Sequence, residues 1–137
     1  MNDRLEAFEV DDTSAILRDS VGSFLARGGL ARARDLRWTK CGLDVESWRA
    51  MGSAGWLGAI IPEEYGGLGL GYKEVAVIAQ EMGRWIAPEP LVECCVFATE
   101  VLLRSSNEAA KLAILPQIAA GEKIVAVGFQ GRHPGMS

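Results

Sequence analysis

The chain has 137 residues, of which 49% are hydrophobic and 23% are charged, with a net charge of -4. This length and composition support a globular domain with a single core and are not those of a disordered chain, although residues 1–12 are expected to be disordered or frayed. The acidic balance disfavours nucleic acid as a partner, although arginines cluster between residues 27 and 37. No apolar stretch reaches membrane-spanning length, and the acidic N-terminus lacks a signal or transit pattern.

Helical patterns begin after residues 1–12, which are expected to be frayed. A hydroxyl at Thr13 or at the following serine predicts the N-cap of a first helix, which ends at a glycine pair. The arginine-rich stretch 30–40 fits either a short helix or an irregular bridge. Asp44 predicts the N-cap of a second helix, which ends just before Gly55.

Two further helices follow a glycine-rich loop. Residues 72–85 carry apolar side chains at helical spacing on one side, and the prolines at 88 and 90 stop this helix. Residues 91–104 form a helix that is apolar nearly all round, which predicts a central position covered on several sides. Its Glu93 lies in the first turn, where the helix dipole favours a carboxylate.

The last helix and the tail complete the pattern. Ser105 and Glu108 fit a capping box for a helix over residues 107–120, and Pro116 predicts a kink or local unwinding within it. The segment Ile124 to Val127 is strand-like, but one strand cannot make a sheet. The predicted fold class is all-α, an up-down bundle of about five helices with one C-terminal orphan strand that leads toward a β-domain.

The glycine loop, residues 55–71, reads GWLGAIIPEEYGGLGLG and separates the second helix from the third. Glycine permits positive φ and close backbone approach, so the loop suits packing under a ligand or a partner domain. A tight connector without any ligand is the alternative. The glycines do not fit a P-loop, which requires a Lys followed by a hydroxyl residue, and they lack the spacing of a dinucleotide fingerprint.

Three cysteines, Cys41, Cys94 and Cys95, cannot make a full set of disulfides. A reducing compartment, and therefore a cytoplasmic location, is expected. A zinc site is improbable because the chain has one histidine, His133, and no CxxC spacing.

Three segments in order resemble the amino-terminal helical domain of the acyl-CoA dehydrogenase family of flavoproteins. They are the glycine loop, EMGRWIAPEP and NEAAKLAILPQIAAGEK, and the resemblance covers residues 13–128. It implies a helical domain over residues 13–121, and the start of a middle β-domain or a truncated tail over residues 122–137. The motif loop residues Pro62, Tyr65, Gly66 and Gly67 are implied to serve structure, and the neighbouring Glu63 and Glu64 are not substitutes for a catalytic base.

The resemblance also implies a chemistry. In such enzymes a glutamate base removes the α-proton of an acyl-CoA thioester while the β-hydride passes to FAD, which leaves a trans-2-enoyl-CoA. The helix from residue 91 resembles the one that lines the acyl-chain cavity, with Glu93, Cys94 and Phe97 expected to share the face toward it. Packing of Cys94 and Phe97 between helices is the alternative.

The tail departs from the family pattern. Phe129 and Gln130 lie where flavin contacts are expected, yet the family's TEP signature is absent, since residues 127–137 read VGFQGRHPGMS. No candidate for the catalytic glutamate is present. The chain alone is therefore expected to be inactive, and metal is not expected in its site.

Two functions remain open from the sequence. The first is the N-terminal part of an FAD-dependent acyl-CoA dehydrogenase, with acyl-CoA as substrate and with the remaining domains or subunits as partners in a homo- or hetero-oligomer. The second is a non-catalytic helical interaction subunit that complements a larger dehydrogenase partner. An unrelated helical bundle is a third possibility, which the ordered motifs disfavour.

Overall fold

The computed structural model describes residues 12–129, and this part of the chain is helical and contains no strand. Its elements are α1 (Asp12–Ala26), α2 (Gly29–Leu36), α3 (Val45–Ser53), α4 (Tyr72–Arg84), a π-helical segment (Leu91–Ala98), α5 (Thr99–Arg104) and α6 (Glu108–Ala119). Two single 3-10 turns, Trp56–Gly58 and Glu63–Tyr65, lie within the glycine loop. The all-α prediction is confirmed, and the arginine-rich stretch forms a short helix.

One core runs between these helices. Helix α1 packs against α4, and α6 packs against both turns of the glycine loop and against the π-helical segment. The spacing that predicted the third helix is confirmed, because Val75, Ile78 and Met82 of α4 are all buried. The largest fully buried side chains are Trp48, Met51, Leu57, Ile61, Ile78, Leu115 and Ile118.

Helix α3 begins as its sequence predicts. The Asp44 carboxylate accepts the backbone N–H of Glu46 at 3.0 Å and the hydroxyl of Ser47 at 2.6 Å. The Ser47 hydrogen bond is the largest of the contacts that lower the pKa of Asp44 below its ordinary value. The helix ends next to Gly55, whose φ of 84° turns the chain into the glycine loop.

The start of α6 differs from the prediction. Its N-cap is Asn107, whose side-chain oxygen accepts the N–H of Ala110 at 3.0 Å, and Ser105 and Glu108 form no capping box. Glu108 instead binds Tyr65 and Lys111, so a tertiary contact has replaced the local one. Helix α6 continues across Pro116 without interruption, so the predicted local unwinding is not observed.

The predicted orphan strand is also corrected. Residues 123–129 have no regular secondary structure and pair with no strand in the part of the chain that the structure describes. The N–H groups of Glu122 and Lys123 both donate to the Gln117 carbonyl at the end of α6, at 2.9 Å and 3.1 Å. A strand requires a partner for its ladder, and here the segment lies against helices instead.

Candidate functional site

The glycine loop is shaped by close packing. A Cβ atom on Gly67 would lie 2.0 Å from the Ile61 carbonyl oxygen, and one on Gly58 would lie 2.9 Å from the Ala119 Cβ. The loop also closes on itself, because the Leu68 N–H donates to the Gly58 carbonyl at 2.9 Å. These contacts require glycine at both positions. They favour the structural interpretation of this loop.

The motif residue Tyr65 ties the loop to α6. Its side chain is buried, and its hydroxyl donates to the Glu108 carboxylate at 2.9 Å. Lys111 donates to the same carboxylate at 2.6 Å. Both hydrogen bonds lower the pKa of Glu108, and the one from Lys111 has the larger effect. Gly66 has a φ of 81° and ends the turn that carries Tyr65, while Pro62 precedes it.

A cleft of about 360 Å³ lies between the glycine loop and the ends of α3 and α6. Its walls include Gly52, Gly55, Gly58, Gly66, Gly67 and Pro116. Such a lining offers backbone and small apolar surface but few side chains that could orient a ligand. The cleft therefore carries no chemistry of its own.

The π-helical segment has a buried side. Leu91, Cys94, Cys95 and Ala98 are between 0% and 3% exposed. Its C-terminal end is fixed by Thr99, which is fully buried and whose hydroxyl donates to the Cys94 carbonyl at 3.3 Å. This side is part of the protein core.

The π-helical segment and α5, which follows it, also carry exposed apolar side chains. Val92 is 54% exposed, and Phe97 and Val101 are each 45% exposed. We call these three residues the outer strip. Glu93 is also exposed. Glu100 lies between Phe97 and Arg104 in the sequence, and the Arg104 guanidinium binds the Glu100 carboxylate at 2.9 Å. The outer strip is therefore an uncovered apolar surface beside two carboxylates.

The structure corrects the predicted shared face of Glu93, Cys94 and Phe97. Glu93 and Phe97 are exposed, whereas Cys94 is fully buried. The reason is the C-terminal tail, because the Val125 N–H donates to the Cys94 sulfur at 3.3 Å. The packing alternative holds for Cys94. Substrate contact remains a prediction for Glu93 and Phe97.

Cys94 and Cys95 form a buried thiol pair. The hydrogen bond from Cys95 lowers the pKa of Cys94 to about 7, with a smaller contribution from the Val125 N–H, while burial opposes both. The same hydrogen bond and burial raise the pKa of Cys95. Cys41 is exposed, and all three cysteines are free thiols. Among residues 12–129 no group of three or more His, Cys, Asp or Glu side chains could hold a metal.

Two buried glutamates anchor the helices around this segment. Glu89, whose side chain is fully buried just before the π-helical segment, binds Arg32 of α2 through both carboxylate oxygens. Glu81 of α4 is 2% exposed and lies 3.7 Å from Arg18 and from Arg84. Buried carboxylates require such partners. Sequence reasoning missed both, because Arg32 and Arg18 lie on other helices, and the i, i+3 spacing of Glu81 and Arg84 does not reveal that the carboxylate is buried.

The residues expected at the flavin are at the edge of the described structure. Phe129 is 86% exposed, and Gln130 lies outside the described residues. An exposed side chain at a chain exit does not form a cradle for an isoalloxazine ring. Flavin contact by Phe129 and Gln130 therefore stays a prediction. Among residues 12–129 no helix is long and apolar enough to cross a membrane.

Comparison with known proteins decides the family. The model of the acyl-CoA dehydrogenase N-terminal domain matches residues 11–122. The chain belongs to this family. Isovaleryl-CoA dehydrogenase, a mitochondrial protein of Solanum tuberosum, is 30% identical over 131 residues, which are 91% of this chain and 31% of that protein. The chain thus spans about a third of the length of this acyl-CoA dehydrogenase.

Solved acyl-CoA dehydrogenases share the fold. The enzyme from Bacillus anthracis complexed with FAD superposes with a TM-score of 0.73 at 26% identity, over 85% of this chain and 20% of that one. The Tcur3481-Tcur3483 steroid ACAD gives a TM-score of 0.72 at 27% identity, over 82% of this chain and 31% of that one. The recognition from three sequence segments is confirmed.

Two features of this region were not predicted from the sequence. Val92 and Val101 of the outer strip were not singled out, since apolar residues all round a helix give no sign of which side stays uncovered. Thr99 looked like an interruption in an apolar run, yet it is fully buried and bonded to the Cys94 carbonyl. Its position five residues after Cys94 is the spacing of a π-helical turn.

Proposed function

We propose that this chain forms one wall of the acyl pocket of an FAD-dependent acyl-CoA dehydrogenase and part of its subunit contacts. The outer strip is the observation that carries the proposal. Its three apolar side chains are about half exposed, and the two elements that carry them, the π-helical segment and α5, also contribute core residues. Exposed apolar surface of this kind marks a binding site for a ligand or a neighbouring domain.

The chain's own residues would bind and shield rather than react. Phe97 and Val101 would contact the alkyl part of an acyl-CoA and keep water from it. Flavin, when bound in the complete enzyme, accepts the hydride that leaves the acyl chain. The base and most flavin contacts would come from other domains or subunits, so the isolated chain is proposed to be inactive.

The second candidate is a helical interaction subunit that complements a larger dehydrogenase. The tail after Val127, which lacks the TEP signature, favours this possibility. The steroid ACAD that resembles this chain is named for two proteins, Tcur3481 and Tcur3483, in keeping with an assembly of unlike subunits. The three free thiols support a reducing compartment such as the cytoplasm.

Flavin absorbance near 450 nm tests how much of the site the chain carries. The purified chain is incubated with excess FAD, and unbound flavin is removed. We expect a colourless protein, because Phe129 is exposed at the edge of the described residues. Retained flavin would show that the Phe129 region is a working flavin site and would contradict the proposed division of roles.

Acyl-chain preference tests the pocket directly. A tagged chain is isolated together with the flavoprotein subunits or domains that it retains, and oxidation of acyl-CoA thioesters of increasing length is measured. Phe97→Ala is expected to shift the preferred length, because it removes a ring from the wall. The matched control is Leu112→Ala on α6, another exposed apolar residue, at 62% exposure. An identical length profile for both variants would contradict the proposal.

A further inference from the structure

A second exposed surface lies on the far side of α2 and is unrelated to the acyl pocket. Leu30 and Arg34 lie one turn apart on the helix, and Arg37 and Trp38 lie at its C-terminal end, where Arg37 is the C-cap. The surface consists of these four residues. Trp38 is 80% exposed and Leu30 is 55% exposed. We call these four residues the basic face.

The basic face has little role in the fold. Helix α2 contributes no fully buried residue. Its inner side holds the helix in place through Arg32, which binds Glu89. The guanidinium of Arg37 instead lies 5.0 Å from the centroid of the exposed Trp38 ring. Cation and aromatic ring are thus presented to solvent together.

The charge of this face opposes that of the chain. Arg27, Arg34, Arg37 and Lys40 are exposed between residues 27 and 40, and Asp35 is the one exposed acid in this stretch. The whole chain carries a net charge of -4. A local excess of cations on an acidic protein attracts an anionic partner, whereas the acidic remainder of the chain does not.

We propose that the basic face binds the anionic surface of a lipid bilayer. Apolar and aromatic tips interleaved with arginines suit the headgroup layer, where tryptophan is favoured and each cation adds about 1 kcal/mol. The face is a convex helix surface, so it suits a lipid layer, which needs no matching shape. Binding would be peripheral and would weaken as salt screens the charges.

Vesicle co-sedimentation of the full chain tests this inference. Vesicles of phosphatidylglycerol and phosphatidylcholine are compared with pure phosphatidylcholine at low and high salt. We expect binding to the anionic vesicles only, lost at high salt. Arg34→Ala with Arg37→Ala should weaken it roughly thirtyfold, since two cations are removed. The control, Arg49→Ala with Lys123→Ala, removes the same charge from exposed positions elsewhere and should bind nearly as well as the original chain.

Tryptophan fluorescence reports where the chain binds. Trp48 and Trp56 are buried and Trp85 is partly buried, whereas Trp38 is 80% exposed, so a blue shift on vesicle addition would come chiefly from Trp38. Trp38→Phe should abolish the shift. Equal binding by the double variant and its control, or no binding to anionic vesicles, would overturn the inference. Binding to polyglutamate but not to vesicles would also overturn it and assign the face to an acidic protein.

Discussion

Helix α2 and the Leu91–Ala98 segment both present apolar side chains to solvent, but they are attached to the protein in different ways. The π-helical segment buries Leu91, Cys94, Cys95 and Ala98 and is part of the core. Helix α2 buries none of its residues fully and is held by the ion pair between Arg32 and Glu89. One surface is therefore the outside of a core element, and the other belongs to a peripheral helix.

The charges beside the two surfaces differ as well. The outer strip lies next to Glu93 and Glu100, whereas the basic face carries Arg34 and Arg37. Exposed apolar side chains alone do not distinguish a pocket wall from a membrane contact. Their attachment to the core and the sign of the neighbouring charges do, and both can be tested.

Removal of the ion pair should have the largest effect. Arg32→Met leaves the fully buried Glu89 carboxylate without its partner, which should cost about 3 to 5 kcal/mol of unfolding free energy. The matched control is Arg34→Met on the same helix, where an exposed cation is lost and a change within about 0.5 kcal/mol is expected. Urea unfolding measures both. Equal losses would show that α2 is not held by this pair.

The two sides of the π-helical segment should differ next. Leu91→Ala removes a side chain that is 3% exposed and should cost about 3 kcal/mol through lost burial and a cavity. Val92→Ala, on the outer strip at 54% exposure, should change stability by less than about 0.5 kcal/mol. If Val92→Ala proved as costly as Leu91→Ala, the outer strip would already be covered in the isolated chain.

The stabilisation that Asp44 gives to α3 should depend on pH. Asp44 caps α3 and lies 4.0 Å from Arg32, and Asp44→Ala should cost about 1 kcal/mol at neutral pH. The pKa of Asp44 is lowered in the folded chain, so the unfolded chain binds its proton first as pH falls. The cap's contribution is therefore present above about pH 4 and is lost below it. A cost for Asp44→Ala that does not shrink from pH 7 to pH 3 would disprove this.

The smallest change in stability is expected on the outer strip itself. Phe97→Ser should alter the unfolding free energy by less than about 0.5 kcal/mol, because the ring is already half exposed. It should nevertheless lower self-association and the binding of a hydrophobic dye, since it removes exposed apolar area. Dye fluorescence and sedimentation would measure this. Undiminished dye binding would place the exposed apolar surface elsewhere.

The sequence predicted local features better than tertiary ones. The Asp44 cap and the buried side of α4 follow from residues within one or two turns, and both are observed. Glu108 was assigned to a local capping box, but Tyr65, 43 residues away, binds its carboxylate. Helical spacing could not have revealed this contact.

The candidate site was predictable only in part. The resemblance singled out the helix from Leu91 and Phe97 on it, and their contact with substrate stays a prediction. The burial of Cys94 depends on the C-terminal tail, where the Val125 N–H reaches its sulfur, and no helical pattern contains that contact. The strand predicted over the same tail is not observed. A strand needs a second segment to pair with, and the residues of one segment do not show whether such a partner is present.

The measurement that most directly tests the pocket wall compares two exposed apolar positions in the assembled protein. A tagged chain carrying Val101→Glu on the outer strip, or Leu112→Glu on α6, is purified from its own cells, and bound flavin is quantified by absorbance. We predict that Leu112→Glu recovers as much flavoprotein as the original chain and that Val101→Glu recovers little, because a carboxylate would be buried at the contact. Equal recovery from both variants would contradict the assignment of the outer strip.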